Sequence, residues 1–311
     1  MSKSMKNMIL TAKKQVSQGV DPVPTPAANA MLVRALAPKP ISVEFLERNN
    51  IRASQGTTGK LSAGVHRVFE FEHELAGSGV VATAPKWGVL LHGCKFQETV
   101  TPATNVVYSL ISSLVPRLTL YGYLDGILWK MVDAWGTVSF ELNAKSIPVA
   151  KYRYLGEYQT AVDAAFPTTE DYSGFIKPVT VGKLNTPSFT FHGHAGVMSQ
   201  LSIDVGNELS YRDLVQGGGP HSPDRTVTGS TTFELPSIAD KNWGEVVRLN
   251  SEGALQLVHG NVAGNIIQFD VPNAQITGEP TINDDNKVAM IQLPFSGNLN
   301  AKNDELSITL T

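Results

Sequence analysis

One order of elements is written twice in this chain. In the first half Phe71-Glu72-His73-Glu74-Leu75 leads through a Gly/Ser/Pro stretch to Trp87-Gly88-Val89-Leu90-Leu91; in the second, Thr231-Thr232-Phe233-Glu234-Leu235 leads through a shorter Pro-containing stretch to Trp243-Gly244-Glu245-Val246-Val247. Few residues are shared, yet strand, Glu-Leu, loop, Trp-Gly and apolar segment recur in that order. Strand-rich segments follow in both halves, at 118–121 and 255–258. A divergent duplication restricts the chain to two copies of one small unit, and two copies can take equivalent places in a ring or array. With 311 residues, each copy has enough chain to bury its own core.

From residue 41 onward the pattern is mostly strands. Over 67–75 the side chains alternate, so His66, Val68, Glu70, Glu72 and Glu74 share one face while Arg67, Phe69, Phe71, His73 and Leu75 share the other. One face is acidic and the other largely apolar. Residues 136–142 and 152–158 alternate again, as do 188–192, 200–205, 226–235, 266–271, 288–295 and 306–310. The apolar run 87–94 follows Pro85 and suits a helix lying on the sheet. Asn283-Asp284-Asp285-Asn286 reads as a turn between strands, and 216–224, with three successive glycines, as a flexible loop. These features predict a mainly β chain with one helix per copy: an N-terminal arm at 1–40, a first β domain at 41–176 and a second, its divergent duplicate, at 177–311.

Within the arm, Met5, Met8, Ile9 and Val16 fall near helical spacing opposite Lys13 and Lys14, which predicts a short amphipathic helix over 5–17. The stretch 18–26 carries Pro22, Pro24 and Pro26 and should be extended, since proline fixes its own φ and biases its predecessor away from helix. Six basic residues against Asp21 alone make this leader positive, while the rest of the chain is acidic and the formal net charge is −3. An acidic body lacks the clustered cations of a nucleic-acid grip. Charged residues are only 17% of the chain, sparse for a free monomer and consistent with surfaces covered by partners. Cys94 is the only cysteine, so there is no intramolecular disulfide. No apolar run approaches the roughly 20 residues of a membrane-spanning helix, and no membrane partner is expected.

The chemical motifs are weak. His192-Gly193-His194 could offer two imidazoles to a metal but has no third ligand nearby, and Gly56-Thr57-Thr58-Gly59-Lys60 lacks both the glycine spacing and the hydroxyl of a phosphate loop. Gly77-Ser78-Gly79 is too tight for a nucleophile elbow and reads as a hinge or close approach. Asp284-Asp285 lacks the alternating oxygens of a calcium loop. No catalytic residue, metal or cofactor is expected. The row Glu70, Glu72 and Glu74 stands out, because like charges on one strand face repel unless water or a cation screens them. A continuous row suits a wetted wall better than a catalytic pair, whose acid would need an apolar niche.

Further resemblance comes from longer strings: the leader from Gln18-Gly19-Val20-Asp21-Pro22 through Ala27-Ala28-Asn29-Ala30, then Glu44-Phe45-Leu46-Glu47-Arg48, Glu74-Leu75-Ala76-Gly77-Ser78-Gly79, Ala84-Pro85-Lys86-Trp87-Gly88 and Leu90-Leu91-His92-Gly93-Cys94. Together with Tyr123-Leu124-Asp125-Gly126, Gly136-Thr137-Val138-Ser139-Phe140 and Gly156-Glu157-Tyr158, the chain resembles the major tail tube proteins of long-tailed bacteriophages, closely in its first half and loosely in its C-terminal strands. The resemblance implies tandem β-sandwich or partial-barrel domains, each with a flanking helix, in rings stacked around a channel that conducts viral DNA. Two copies per chain would make a homotrimer a pseudo-hexameric ring. It implies a virion component, assembled in the host bacterial cytoplasm, whose partners are further copies of itself, the tape measure protein, the tail terminator and the distal tail protein. DNA would cross the lumen without specific binding. On this reading Glu70, Glu72, Glu74 and Glu234 face the lumen, and Asp21, Pro22, Pro24, Pro26 and Arg34 make contacts between rings. A tail terminator or baseplate ring protein on the same fold is the alternative. A glycan hydrolase on a β-sandwich would need a paired acid and base in a cleft, and no such pair is visible.

Overall fold

A computed structural model describes residues 3–311. The first half contains β1 (Met8–Lys14), α1 (Pro26–Asn29), β2 (Ala30–Met31), β3 (Arg34–Pro38), β4 (Ser42–Glu47), β5 (Lys60–Glu74), α2 (Gly88–Gly93), β6 (Phe96–Thr101), β7 (Asn105–Leu110), β8 (Leu118–Leu124), β9 (Ile127–Asn143), β10 (Val149–Tyr158) and β11 (Val162–Asp163). The second contains β12 (Ser188–Phe191), β13 (His194–Ala195), β14 (Met198–Asp204), β15 (Ser210–Leu214), β16 (Gly217–His221), β17 (Thr228–Glu234), α3 (Trp243–Arg248), β18 (Glu252–His259), β19 (Ile267–Ile276), β20 (Thr281–Asp285), β21 (Val288–Gly297) and β22 (Ser307–Leu310). The chain is mainly β, in large antiparallel sheets of the sandwich type.

Strand pairing repeats between the halves. In the first, neighbours run β1-β8-β9-β10-β5, with β3 and β4 beyond β5. In the second they run β12-β18-β19-β21-β17-β14. Chain order and spatial order therefore agree between the copies, and α2 and α3 each follow the strand that ends in the Glu-Leu pattern. The tryptophan of the repeated Trp-Gly explains the pattern. Trp87 packs tilted against His73 with centroids 4.9 Å apart and Trp243 edge-on against Phe233 at 5.3 Å, and both indoles are buried. His73 and Phe233 each precede the glutamate of the pattern, so the same core contact is built twice. Gly88 is required locally, since a Cβ there would lie 2.0 Å from the Tyr108 hydroxyl.

The halves are joined by sheet as well as by linker. The C-terminal part of β9 pairs with β14, from Asn143↔Gln200 to Ser139↔Asp204. β22 sits between β7 and β19, tying the C-terminal strand to both copies. Phe140 and Phe269 pack across the junction with ring centroids 5.1 Å apart. At Gly77 the backbone N–H donates to Asn265 Oδ1 at 2.7 Å, and a Cβ would lie 2.0 Å from the Gly264 carbonyl. The close approach expected of Gly77-Ser78-Gly79 is thus a contact between halves.

Two expectations are corrected. Residues 8–14 form a strand instead of an amphipathic helix: β1 pairs with β8 over seven residues and with β2 on its other edge, so Ile9, Leu10, Thr11 and Ala12 are all buried. Met5 and Val16, which gave the helical spacing its ends, are exposed. Residues 8–14 and 30–31 of the N-terminal segment are therefore strands of the first sheet. Residues 216–224 are not an open loop either, because Gly217–His221 pairs with β15 as a hairpin.

Candidate functional site

The acidic row lies where alternation placed it. Along β5, Phe69, Phe71 and His73 are buried in the core, while Glu70, Glu72 and Glu74 point to the opposite, solvent-facing side. Residues directly opposite in an antiparallel ladder share a face. The face can therefore be followed across strands from Glu70 and Glu72 to Arg153 and Lys151 on β10, and on to Thr137, Ser139 and Glu141 on β9. From there it passes to Asp204, Ser202 and Gln200 on β14, to Thr228, Ser230 and Thr232 on β17, and to Ser296, Pro294 and Gln292 on β21. Glu234, two residues after Thr232, lies on this same face. All four glutamates predicted to act together thus belong to one continuous surface spanning both halves.

Its electrostatics differ from a bare acidic wall. Arg34 on β3 lies 3.2 Å from Glu72 and 3.8 Å from Glu74; Lys39 and Arg153 lie 3.5 and 3.4 Å from Glu70; Lys151 lies 2.5 Å from Glu141. These pairs are half-exposed and contribute little stability each, but they cancel much of the local field. In the second half the same face carries mostly Ser, Thr and Gln, with Asp204 and Glu234 as isolated carboxylates. Local alternation found the carboxylates and missed their cations. Lys151 and Arg153 do alternate along β10, so the signal existed, but only the register shows that they oppose Glu72 and Glu70.

The residues expected to reach a neighbouring ring are engaged within the chain. The Tyr121 hydroxyl donates to Asp21, whose other oxygen accepts from Val23 N–H at 2.9 Å. Lys13 donates to the Pro22 carbonyl at 2.9 Å, and Gly19 N–H donates to Asp133 at 2.7 Å. Pro24 is buried, and Pro22 and Pro26 are half-buried. Arg34 is the partner of the acidic row.

The other motifs are structural. His192 Nε2 lies 2.8 Å from the Ala274 carbonyl, and the ring packs edge-on against Phe191. Burial lowers its pKa. Among the described residues no group of three or more His, Cys, Asp or Glu could hold a metal ion. Cys94 is fully buried, which pushes its thiol up to about 12 and makes it inert while the chain is folded. Asp284 caps the β20–β21 turn by accepting from Lys287 N–H at 3.1 Å.

A family model described as phage tail tube protein matches residues 6–297. The chain belongs to this family. The match runs into both halves as far as β21, where the motif resemblance is loose, and stops before β22. No curated protein matches the sequence. As a tail tube protein the chain is a structural component of the virion tail, self-assembling into the tube; the tail terminator or baseplate alternative is not favoured. Among the described residues no helix is long and apolar enough to cross a membrane.

Proposed function

We propose that three chains close into a pseudo-hexameric ring by repeating between chains the β9–β14 junction found within one, and that the polar face lines the lumen. The observation that carries this reading is the pair of unpaired outer edges. β20 pairs only with β21, and β3 and β4 pair only with β5. β20 lies beside β21 as the end of β9 lies beside β10, and β3 lies beside the end of β5 as β14 lies beside β17. Joining β20 of one chain to the β3/β4 edge of the next therefore reproduces the internal junction and removes both open edges.

The face then offers DNA neither a cationic groove nor base-stacking aromatics, so a polyanion passes without specific binding. No catalytic role is assigned to the chain. The stack ends on the terminator and distal tail proteins and holds the tape measure protein inside. Between rings, the exposed residues Val23, Thr25, Ala27 and Ala28 of the docked leader form a fixed ridge for the neighbour.

Electron microscopy with rotational averaging tests the ring. Asp285 and Val288 close the two-residue turn and form a hydrogen-bonded pair, so the Ile282 N–H points to the free edge. Ile282→Pro is expected to leave a folded monomer that makes no rings. Normal rings from this variant would exclude β20 as the closing edge.

A further inference from the structure

We propose that the β4–β5 hairpin of each chain docks sideways on the second half of its neighbour in the same ring, across the start of β17 and the end of β21. This rests on the ring reading above and adds a contact which that reading does not require.

The first observation is an uncovered apolar surface. Phe45, Leu46 and Leu61 are 61%, 56% and 56% exposed, and Ile51 at the turn is fully exposed. Leu46 and Leu61 are directly opposite each other, so they form one patch. A Glu47–Lys60 ion pair of 2.7 Å joins the strands at the base of the turn. A strand pair showing contiguous large apolar side chains on such a projection marks a binding element.

The second observation identifies the occupant. The β15–β16 hairpin holds the corresponding place in the second copy, inserted between β14 and β17 as the hairpin of β4 and the start of β5 is inserted between β3 and the end of β5. It is docked on the first copy. Tyr211 stacks on His66 at 5.1 Å, and Asp213 accepts from Gly64 N–H at 2.9 Å, which places the hairpin across the start of β5 near the end of β10. The equivalent surface on the second copy, at the start of β17 and the end of β21, has no hairpin over it: Thr226, Thr228 and Leu299 are exposed there. If a ring repeats the internal junction, the one hairpin positioned to cover that surface is β4–β5 of the next chain.

The test is a Leu46→Cys, Leu299→Cys double variant, assembled and treated with a short bis-maleimide; the buried Cys94 does not react in the folded chain. Covalent species of two and three chains, stopping at three because the ring closes, are expected, with each single variant staying monomeric. A ladder continuing past three chains means that the hairpin bridges rings and overturns the proposal, as does no cross-linking in rings visible by microscopy. A wild-type chain that forms no rings overturns the ring reading itself, and this one with it. Hydrogen exchange on the wild type needs no substitution: residues 44–62 and 296–300 should gain protection together on ring formation, and no gain at 296–300 overturns lateral docking.

Discussion

Replacing Leu10 by alanine separates a core strand from a loose tether at the N-terminus. Leu10 is fully buried and lies between Gly122 of β8 and Met31 of β2 in the ladder. Removing three carbons loses about 2.4 kcal/mol of transfer free energy at roughly 0.8 per methylene. Gly122 offers no side chain to fill the space, and β1 is pinned on both edges, so the hole stays open and a cavity cost is added. The expected loss is about 3–5 kcal/mol, within the range of buried Leu→Ala substitutions and a large fraction of the roughly 5–15 kcal/mol typical of native proteins. Urea unfolding of the unassembled chain measures it, followed by both tryptophan fluorescence and circular dichroism, because a two-copy chain need not unfold in one step. Val16→Ala, at a position 97% exposed, is the control and should stay within about 0.5 kcal/mol. A loss below about 1 kcal/mol for Leu10→Ala, combined with shortened or absent tubes, would show that the segment acts on neighbours and would refute its assignment to the core.

His73 makes stability depend on pH: it is buried among Trp87 and Tyr152, neither ring nitrogen has a partner, and burial lowers its pKa to about 3. The folded chain keeps the imidazole neutral while the unfolded chain binds a proton near pH 6.5, so its contribution is complete above that pH and is lost as pH falls toward 3. His73→Phe should flatten the stability profile over this window by up to about 1.4 kcal/mol per pH unit, and parallel profiles for the two proteins would rule the effect out. Gln200→Lys with Thr232→Lys adds cations to the half of the face that carries none; phage carrying it should eject DNA more slowly, with the delay shrinking as salt rises. Ejection at the wild-type rate in low salt would place that face away from the lumen.

The sequence makes β5 visible and hides β1 for the same physical reason. β5 has core on one side and solvent on the other, so its composition alternates. β1 is enclosed by β8, β2 and the core, so Ile9-Leu10-Thr11-Ala12 carries no period of two and a helical spacing can be drawn through it. The repeated Trp-Gly pattern is legible because each tryptophan packs on the end of the preceding strand, a local contact. The charge of the polar face is not local. Glu70, Glu72 and Glu74 acquire Arg34, Lys39 and Arg153 from other strands or segments, and only the register brings them within reach. This changes the physical argument for letting DNA pass. A bare acidic wall would repel phosphate and push the duplex toward the axis. Paired charges a few ångströms apart, well inside the roughly 8–10 Å screening length of physiological salt, largely cancel before their field reaches far into water. The first half of the face then resembles the Ser/Thr/Gln half electrostatically despite its different composition. On the proposed lumen assignment, low friction follows from near-neutrality: few counterions leave the DNA on contact, so little binding free energy must be overcome at each step. Arg153→Ala would disturb that balance on the acidic side, whereas loss of Glu70 would leave Lys39 and Arg153 without their carboxylate. Of the two, the loss of Glu70 should slow ejection more, and ejection faster than wild type for Arg153→Ala would argue for repulsion in place of neutrality.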